Sequence, residues 1–293
     1  MNKSKNIYSK TAFTLVEILV VILIIGTVLG IMLPTLYRAK QKGKYTRWFG
    51  YRSLLKKDSD CVLYYDFEEG QGTTINNYAH AVGRKGYKKN DYNGEVLDIT
   101  DEAWQEGRWP MKKALHLDAD ATYVKVPFGK GLRIFKDITI MTWIKIDDVD
   151  AWQYLVDKWW WSGGHYRSWE LRIRNGTLYW RLGTDTGTDP GGANRKITYN
   201  FSPYEGEWTH IAATFDTAGG MALYVNAEEV GTNDTGPTDG AFSTTKPIYL
   251  GVANNPENGS PHGDDVGLMD ELVIFKRALT INEIKAHYNM GKP

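Results

Sequence analysis

A single carboxylate, Glu17, stands inside an otherwise apolar run from Phe13 to Leu33. An ionised side chain in hydrocarbon costs at least a few kcal/mol unless it is paired or protonated, so this residue calls for a cationic partner. A second concentration of chemistry lies mid-chain, where Trp152, Trp159, Trp160, Trp161, Tyr166, Trp169, Tyr179 and Trp180 gather in and beside one expected loop. Sugars stack on such ring faces while neighbouring Asp, Asn and Arg read their hydroxyls, which makes Trp152, Trp159, Trp160, Trp161 and Tyr166 candidate glycan-binding residues. The competing reading sends Trp169 and Trp180 into a core by strand alternation and makes 159–161 a contact between subunits. Catalysis is not expected. Glycoside hydrolysis needs two facing carboxylates about 5 to 9.5 Å apart, and no paired Glu-x-Asp-x-x-Glu strand motif is present. The six histidines are scattered, and neither a Ser/His/Asp motif nor a phosphate-binding glycine loop occurs. A carbohydrate-active hydrolase is the alternative from the enzyme class.

These groups need elements to hold them. The run Phe13–Leu33 is about twenty residues long, and at about 1.5 Å rise per residue it matches the roughly 30 Å hydrocarbon core of a bilayer. Lys3, Lys5 and Lys10 precede it with no acidic residue among them, so the N-terminus is expected in the cytoplasm and the remaining chain outside. A secretory signal peptide has a shorter apolar core and a small-residue cleavage site, whereas this run ends at Pro34 and Arg38. Helix-compatible residues continue from Thr35 to Lys57, with Gly43 and Gly50 as places where a break is expected. The Lys and Arg of this stretch suit solvent, anionic lipid headgroups or neighbouring subunits.

The stretch Ala12-Phe13-Thr14-Leu15-Val16-Glu17 resembles the signature of type IV prepilins and pseudopilins. The resemblance implies that a prepilin peptidase cuts between Ala12 and Phe13 and that the new N-terminus at Phe13 is methylated. It also implies that Glu17 pairs with the N-terminal amine of a neighbouring copy during self-association into a helical filament. Ala12 stands where the family usually has Gly. Pro34 falls where many pilins carry a helix-loosening proline. The implied location is the inner membrane with an extracytoplasmic head, then an extracellular or periplasmic filament.

After Asp60 the pattern changes to short β-branched and aromatic runs separated by Gly, Asn, Asp and Pro, which signals an all-β head. Expected strands are 62–67, 123–126, 138–146, 169–174, 177–182, 208–215, 222–225, 248–250 and 267–275, with Asn175-Gly176 as a hairpin turn. Thr280 and Glu283 form an expected capping box for a short terminal helix. The one cysteine, Cys61, excludes an intramolecular disulfide and a Cys-rich zinc site, and it reads as a small apolar residue opening a strand. Lys+Arg and Asp+Glu both total 35, so no basic excess points to nucleic acid as a partner.

The order of motifs in this half resembles the laminin-G-like, or concanavalin A-like, jelly-roll family from Cys61 to Tyr288. The resemblance rests on Asp66-Phe67-Glu68-Glu69-Gly70-Gln71-Gly72, Ala114–Asp118, Ile138–Ile144, Gly206–Phe215, Leu223–Asn226 and Met269–Phe275 followed by Ala278-Leu279-Thr280. Ala119 replaces a family glycine, and an insertion runs from about Tyr78 to Trp109. Relatives of this fold often bind calcium, and by resemblance Asp66, Asp118 and Asp270 are its donors here. Buried carboxylates satisfied by backbone N–H groups are the alternative reading. The whole expectation is a leader over 1–12, a transmembrane pilin α-helix and its extension over 13–58, and an all-β jelly-roll sandwich head over 59–293. Its expected task is structural, with glycans or proteins bound by the head.

Overall fold

The computed structural model describes residues 13–79, 92–134, 136–159, 167–183, 195–234, 244–253 and 262–293. The apolar run folds as α1 (Leu15–Leu55), the one helix among the described residues long and apolar enough to cross a membrane. Its apolar side chains from Leu15 to Leu36 are exposed. The helix is unbroken through Pro34, Gly43 and Gly50, so the loosening and breaks expected there do not interrupt it. Pro34 has no N–H to donate to Gly30 O, and beside it the hydroxyl of Thr35 donates to Ile31 O (3.0 Å) and Met32 O (2.8 Å) in the preceding turn. Thr14 caps the start. Its hydroxyl accepts from Glu17 N–H at 3.3 Å, while Glu17 Oε2 accepts from Thr14 N–H at 2.7 Å and from its hydroxyl at 2.8 Å.

The chain forms two compact units, Met1–Gly43 and Lys44–Pro293, so the last turns of α1 belong with the β-rich unit. That unit is a sandwich of two eight-stranded sheets. The first sheet runs β14 (Glu228–Asn233), β13 (Gly220–Val225), β12 (Thr209–Asp216), β7 (Ile138–Lys145), β16 (Asp265–Phe275), β5 (Lys113–Asp118), β4 (Trp104–Glu106), and β1 (Cys61–Tyr65) also pairs with β16. The second runs β11 (Lys196–Asn200), β10 (Thr177–Leu182), β9 (Arg167–Arg174), β8 (Trp152–Trp159), β15 (Ile248–Leu250), β6 (Tyr123–Val126), β3 (Gly94–Leu97), β2 (Thr74–Ile75). Pairing among the described strands is antiparallel.

Alternation fills the space between the sheets. Leu178, Trp180 and Leu182 of β10 and Trp169, Leu171 and Ile173 of β9 point into one core with Ile140, Ile144, Ile211 and Phe215 of the facing sheet. Each such side chain contributes about 1.5–3 kcal/mol by burial. Trp180 also donates its indole N–H to Thr214 O across the sandwich at 3.0 Å. The outer face of the first sheet is covered by Leu55 at the end of α1, by Leu279 ahead of α2 (Ile281–Gly291) and by Ile284 within it. The Thr280/Glu283 capping box of α2 forms as expected, and Cys61 opens β1 as a buried residue. Nine expected strands are present, three with identical ends and the others within two residues.

Candidate functional site

Two places gather polar side chains. The first lies where the last turns of α1 meet the first sheet. β16 carries a bulge between Met269 and Leu272, both of which face the core. The extra residue turns Asp270 and Glu271 to the same outer side, with Glu271 at φ 98°. Arg108 donates from Nε to Asp270 Oδ2 at 2.9 Å, from Nη2 to Glu271 Oε2 at 2.8 Å and from Nη1 to Gly291 O at 2.8 Å. Glu271 further accepts from the Trp48 indole (3.1 Å) and the Tyr64 hydroxyl (2.9 Å). Arg52 pairs with Asp66, and Lys112 pairs with Asp270 while donating to Asp66 O at 2.9 Å. Burial would raise Glu271, but Arg108, His287 and Lys112 hold it down to about 2. Burial pushes Asp66 up to about 6 against the pull of Arg52 and Lys112. Three buried cations thus answer three buried anions, and the group fixes Trp48 and Arg52 of α1 on the sandwich.

The expected calcium donors Asp66, Asp118 and Asp270 stand in two places. Asp66 and Asp270 are taken up by Arg52, Lys112 and Arg108. Asp118 stands opposite Asp265, five residues from Asp270 along β16 and so roughly 16 Å away at about 3.3 Å per residue. Among the described residues no group of three His, Cys, Asp or Glu side chains could hold a metal ion.

The second place is the outward face of the second sheet. The Asn175-Gly176 turn, with φ of 49° and 67°, sets the register of β9 against β10. Arg174 then faces Thr177, Arg172 faces Tyr179 and Glu170 faces Arg181. On the other flank β8 brings Trp152 opposite Arg174 and Tyr154 opposite Arg172. A row Tyr154–Arg172–Tyr179 therefore crosses three adjacent strands, its guanidinium 5.9 Å and 5.0 Å from the two ring centroids. Beside it the Arg174 guanidinium lies 3.6 Å over the Trp152 ring. His262 meets Trp152 edge-on at 5.3 Å. Glu170, 1% exposed, accepts from Arg181 Nη1 at 2.7 Å and stands 3.2 Å from Arg172 Nε. Burial and then the Glu170 charge push the Tyr154 hydroxyl up to about 12, so it remains a hydrogen-bond donor across the physiological range. Tyr154 and Glu170 are buried beneath this face, so what it offers a ligand are the half-buried rings of Trp152 and Tyr179 and the guanidinium groups of Arg172 and Arg174 as donors for hydroxyls or an anion.

Of the expected glycan-binding residues, Trp152 belongs to this face, and it opens a strand where a loop was expected. Trp159 ends that strand. Trp160, Trp161 and Tyr166 lie outside the described residues, as does Ala12. Trp169 and Trp180 alternate into the core, as the competing reading had it. Tyr154, Arg172 and Arg174 are not among the expected residues; the two-residue turn at 175–176 places Arg172 opposite Tyr179 by counting outward, while Tyr154 stands on β8, whose register that turn does not set.

Residues 118–285, more than half of the chain, match the profile of the concanavalin A-like lectin/glucanases superfamily. No curated protein matches the chain. Among solved structures it is similar to the receptor-binding domain of botulinum neurotoxin C/D mosaic serotype, with 18% identity and a TM-score of 0.57 over 79% of this chain and 51% of that one. It is likewise similar to the botulinum neurotoxin serotype D ligand-binding domain in complex with N-acetylneuraminic acid, with 18% identity and a TM-score of 0.56 over 82% and 52%. The binding domain of Paraclostridial Mosquitocidal Protein 1 gives 19% identity and a TM-score of 0.55 over 80% and 52%. The chain spans about half the length of these structures, and the likeness is one of fold.

Proposed function

The chain belongs to the concanavalin A-like lectin/glucanases superfamily, and we propose that it is a membrane-anchored, non-enzymatic glycan-binding subunit that assembles through its N-terminal helix into a pilin-like filament. The observation that carries the binding role is the Tyr154–Arg172–Tyr179 row beside the Trp152–Arg174 pair on one outward sheet face. Aromatic faces take the apolar side of a sugar ring, and the guanidinium groups read hydroxyls or a sugar carboxylate. A relative in fold was solved with N-acetylneuraminic acid, which supports an acidic sugar as the class to try first. The full chain in detergent, applied to a glycan array, is expected to bind a subset of glycans. Arg172→Ala and Trp152→Ala should each weaken that binding by about tenfold or more, the loss of about 1.4 kcal/mol. An array with no bound glycan, or variants that bind as the native chain does, would refute the role.

The filament role is supported by the exposed apolar helix and by Glu17 within it. Cleavage by a prepilin peptidase between Ala12 and Phe13 would bring a free amine beside the helix start, where a carboxylate from a neighbouring copy can pair with it.

A further inference from the structure

We infer that Arg174 selects the ligand of the outward face of the second sheet, and that the glycan it selects carries a carboxylate. Three arginines share this face by strand alternation, Arg172 and Arg174 on β9 and Arg181 on β10. Glu170 answers two of them, standing 2.7 Å from Arg181 Nη1 and 3.2 Å from Arg172 Nε. Arg174 forms no ion pair among the described residues. Its Nε is shut off from solvent without a hydrogen-bond partner, a cost that a bound acceptor removes. The acids flanking the start of β8 do not supply one. Asp148 Oδ1 accepts from Asp150 N–H at 2.9 Å and Asp264 Oδ2 from Trp152 N–H at 2.7 Å, while Asp150 is exposed and pairs with no guanidinium among the described residues.

Trp152 makes this charge specific. The Arg174 guanidinium lies 3.6 Å over its ring, and the ring is itself held by His262 at its edge and by Asp264 on its backbone. A guanidinium stacked in this way keeps its plane, so its fork of donors loses little freedom when it binds. A planar fork matches the two oxygens of a carboxylate, which a neutral sugar lacks. The same row continues with Thr177 opposite Arg174 and Asn200 opposite Thr177. Asn200 Oδ1 accepts from Ser202 N–H at 3.2 Å, which leaves the amide nitrogen for a sugar hydroxyl. Two strand spacings, roughly 10 Å, separate Arg174 from Asn200, the reach of one acidic sugar and its neighbour. The half-buried ring of Tyr179 lies beside that path.

The inference rests on the glycan-binding reading above, and one titration separates the two. The full chain in detergent is titrated with two matched pairs, sialyllactose and its methyl ester, and a galacturonic acid oligomer and its methyl ester. Within each pair the charge changes and the rings do not. At least one acid should bind about tenfold or more tightly than its ester, the factor that a charge-assisted pair of hydrogen bonds supplies. Acid and ester bound alike would overturn the carboxylate and leave the glycan-binding role standing. Binding of none of the four would also overturn it, and together with an empty glycan array would remove that role as well. Arg174→Gln should bring the ratio of acid to ester affinity to about one, and Arg174→Lys, which keeps the charge without the fork, should restore part of it. An unchanged thermal unfolding midpoint reports an intact sandwich in both variants. A ratio that survives in the Gln variant, a ratio fully kept in the Lys variant, or acid and ester binding lost together in both would overturn the assignment to Arg174.

Discussion

Glu271 and Asp66 lie in one buried cluster yet titrate with opposite consequences. Glu271 is pulled down from 4.5 to about 2, because Arg108, His287 and Lys112 outweigh the burial that would raise it. Its contribution to stability is present above about pH 4.5 and is lost as pH falls toward 2. Asp66 is pushed up by burial from 3.8 to about 6, so the folded chain holds that proton more tightly than the unfolded chain does. Stability therefore rises as pH drops from about 6 to 3.8 on account of Asp66. Urea unfolding followed by tryptophan fluorescence should show a net loss as pH falls from about 6.5, because the buried His210 and His287 are held below the ordinary histidine range; the Asp66 gain appears as a shallower slope than in Asp66→Asn, and Glu271 adds a further loss below about 4.5. Glu271→Gln leaves Arg108 with Asp270 as its one carboxylate partner and is expected to cost about 3 kcal/mol at neutral pH while reducing the further loss below about pH 4.5 to the part that Glu283 carries. A variant as stable as the native chain, with the acid limb intact, would contradict this assignment.

At the scale of elements, the β9–β10 hairpin governs the candidate site. Gly176 has φ 67°, and a Cβ there would press against the Ser202 hydroxyl. Gly176→Ala should cost about 1–2 kcal/mol. It should also weaken glycan binding, because the turn sets which side chains share the row. Binding unchanged in a measurably destabilised variant would uncouple the turn from the site. The hairpin also shows what could be read in advance. Asn-Gly between two alternating runs announces the turn, and a two-residue loop fixes every cross-strand pair by symmetry. The strands at 123–126, 177–182 and 248–250 were equally legible from β-branched and aromatic runs between turn residues. β8 was not, because Trp152 to Trp159 mixes apolar, polar and charged residues without a clean period of two. Its register shifts between Tyr154 and Val156 and between Asp157 and Trp159 show why, since each irregularity breaks the alternation that periodicity relies on. Short edge strands such as β2, with two residues, give no pattern to read. The ion pairs of Asp270 were illegible for a related reason: no local signal in the sequence shows that Arg108 and Lys112 return to it across a span of about 160 residues.

For the whole molecule, the two ends of α1 make different demands. Within its own chain Glu17 is engaged by Thr14, which orients its carboxylate at the helix start. Glu17→Ala is expected to leave the protein in the membrane and to lower its incorporation into filaments by about tenfold, the effect of losing one pairing of about 1.4 kcal/mol. Electron microscopy and fractionation of cells carrying the variant check this, and normal filaments would count against the pairing. Charge counting alone does not orient the helix as the prepilin resemblance does, since five cations behind the apolar run outnumber Lys3, Lys5 and Lys10 ahead of it. The other end of α1 is bound to an event late in synthesis. Trp48 donates to a carboxylate 223 residues downstream. At about 5–20 residues per second a ribosome needs roughly 11 to 45 s to supply that acceptor. Until β16 is translated, the Trp48 indole lacks that acceptor, whereas Arg52 finds Asp66 only fourteen residues on. Docking of the Trp48 turn therefore waits on β16, and a polypeptide released before it holds that indole without its carboxylate.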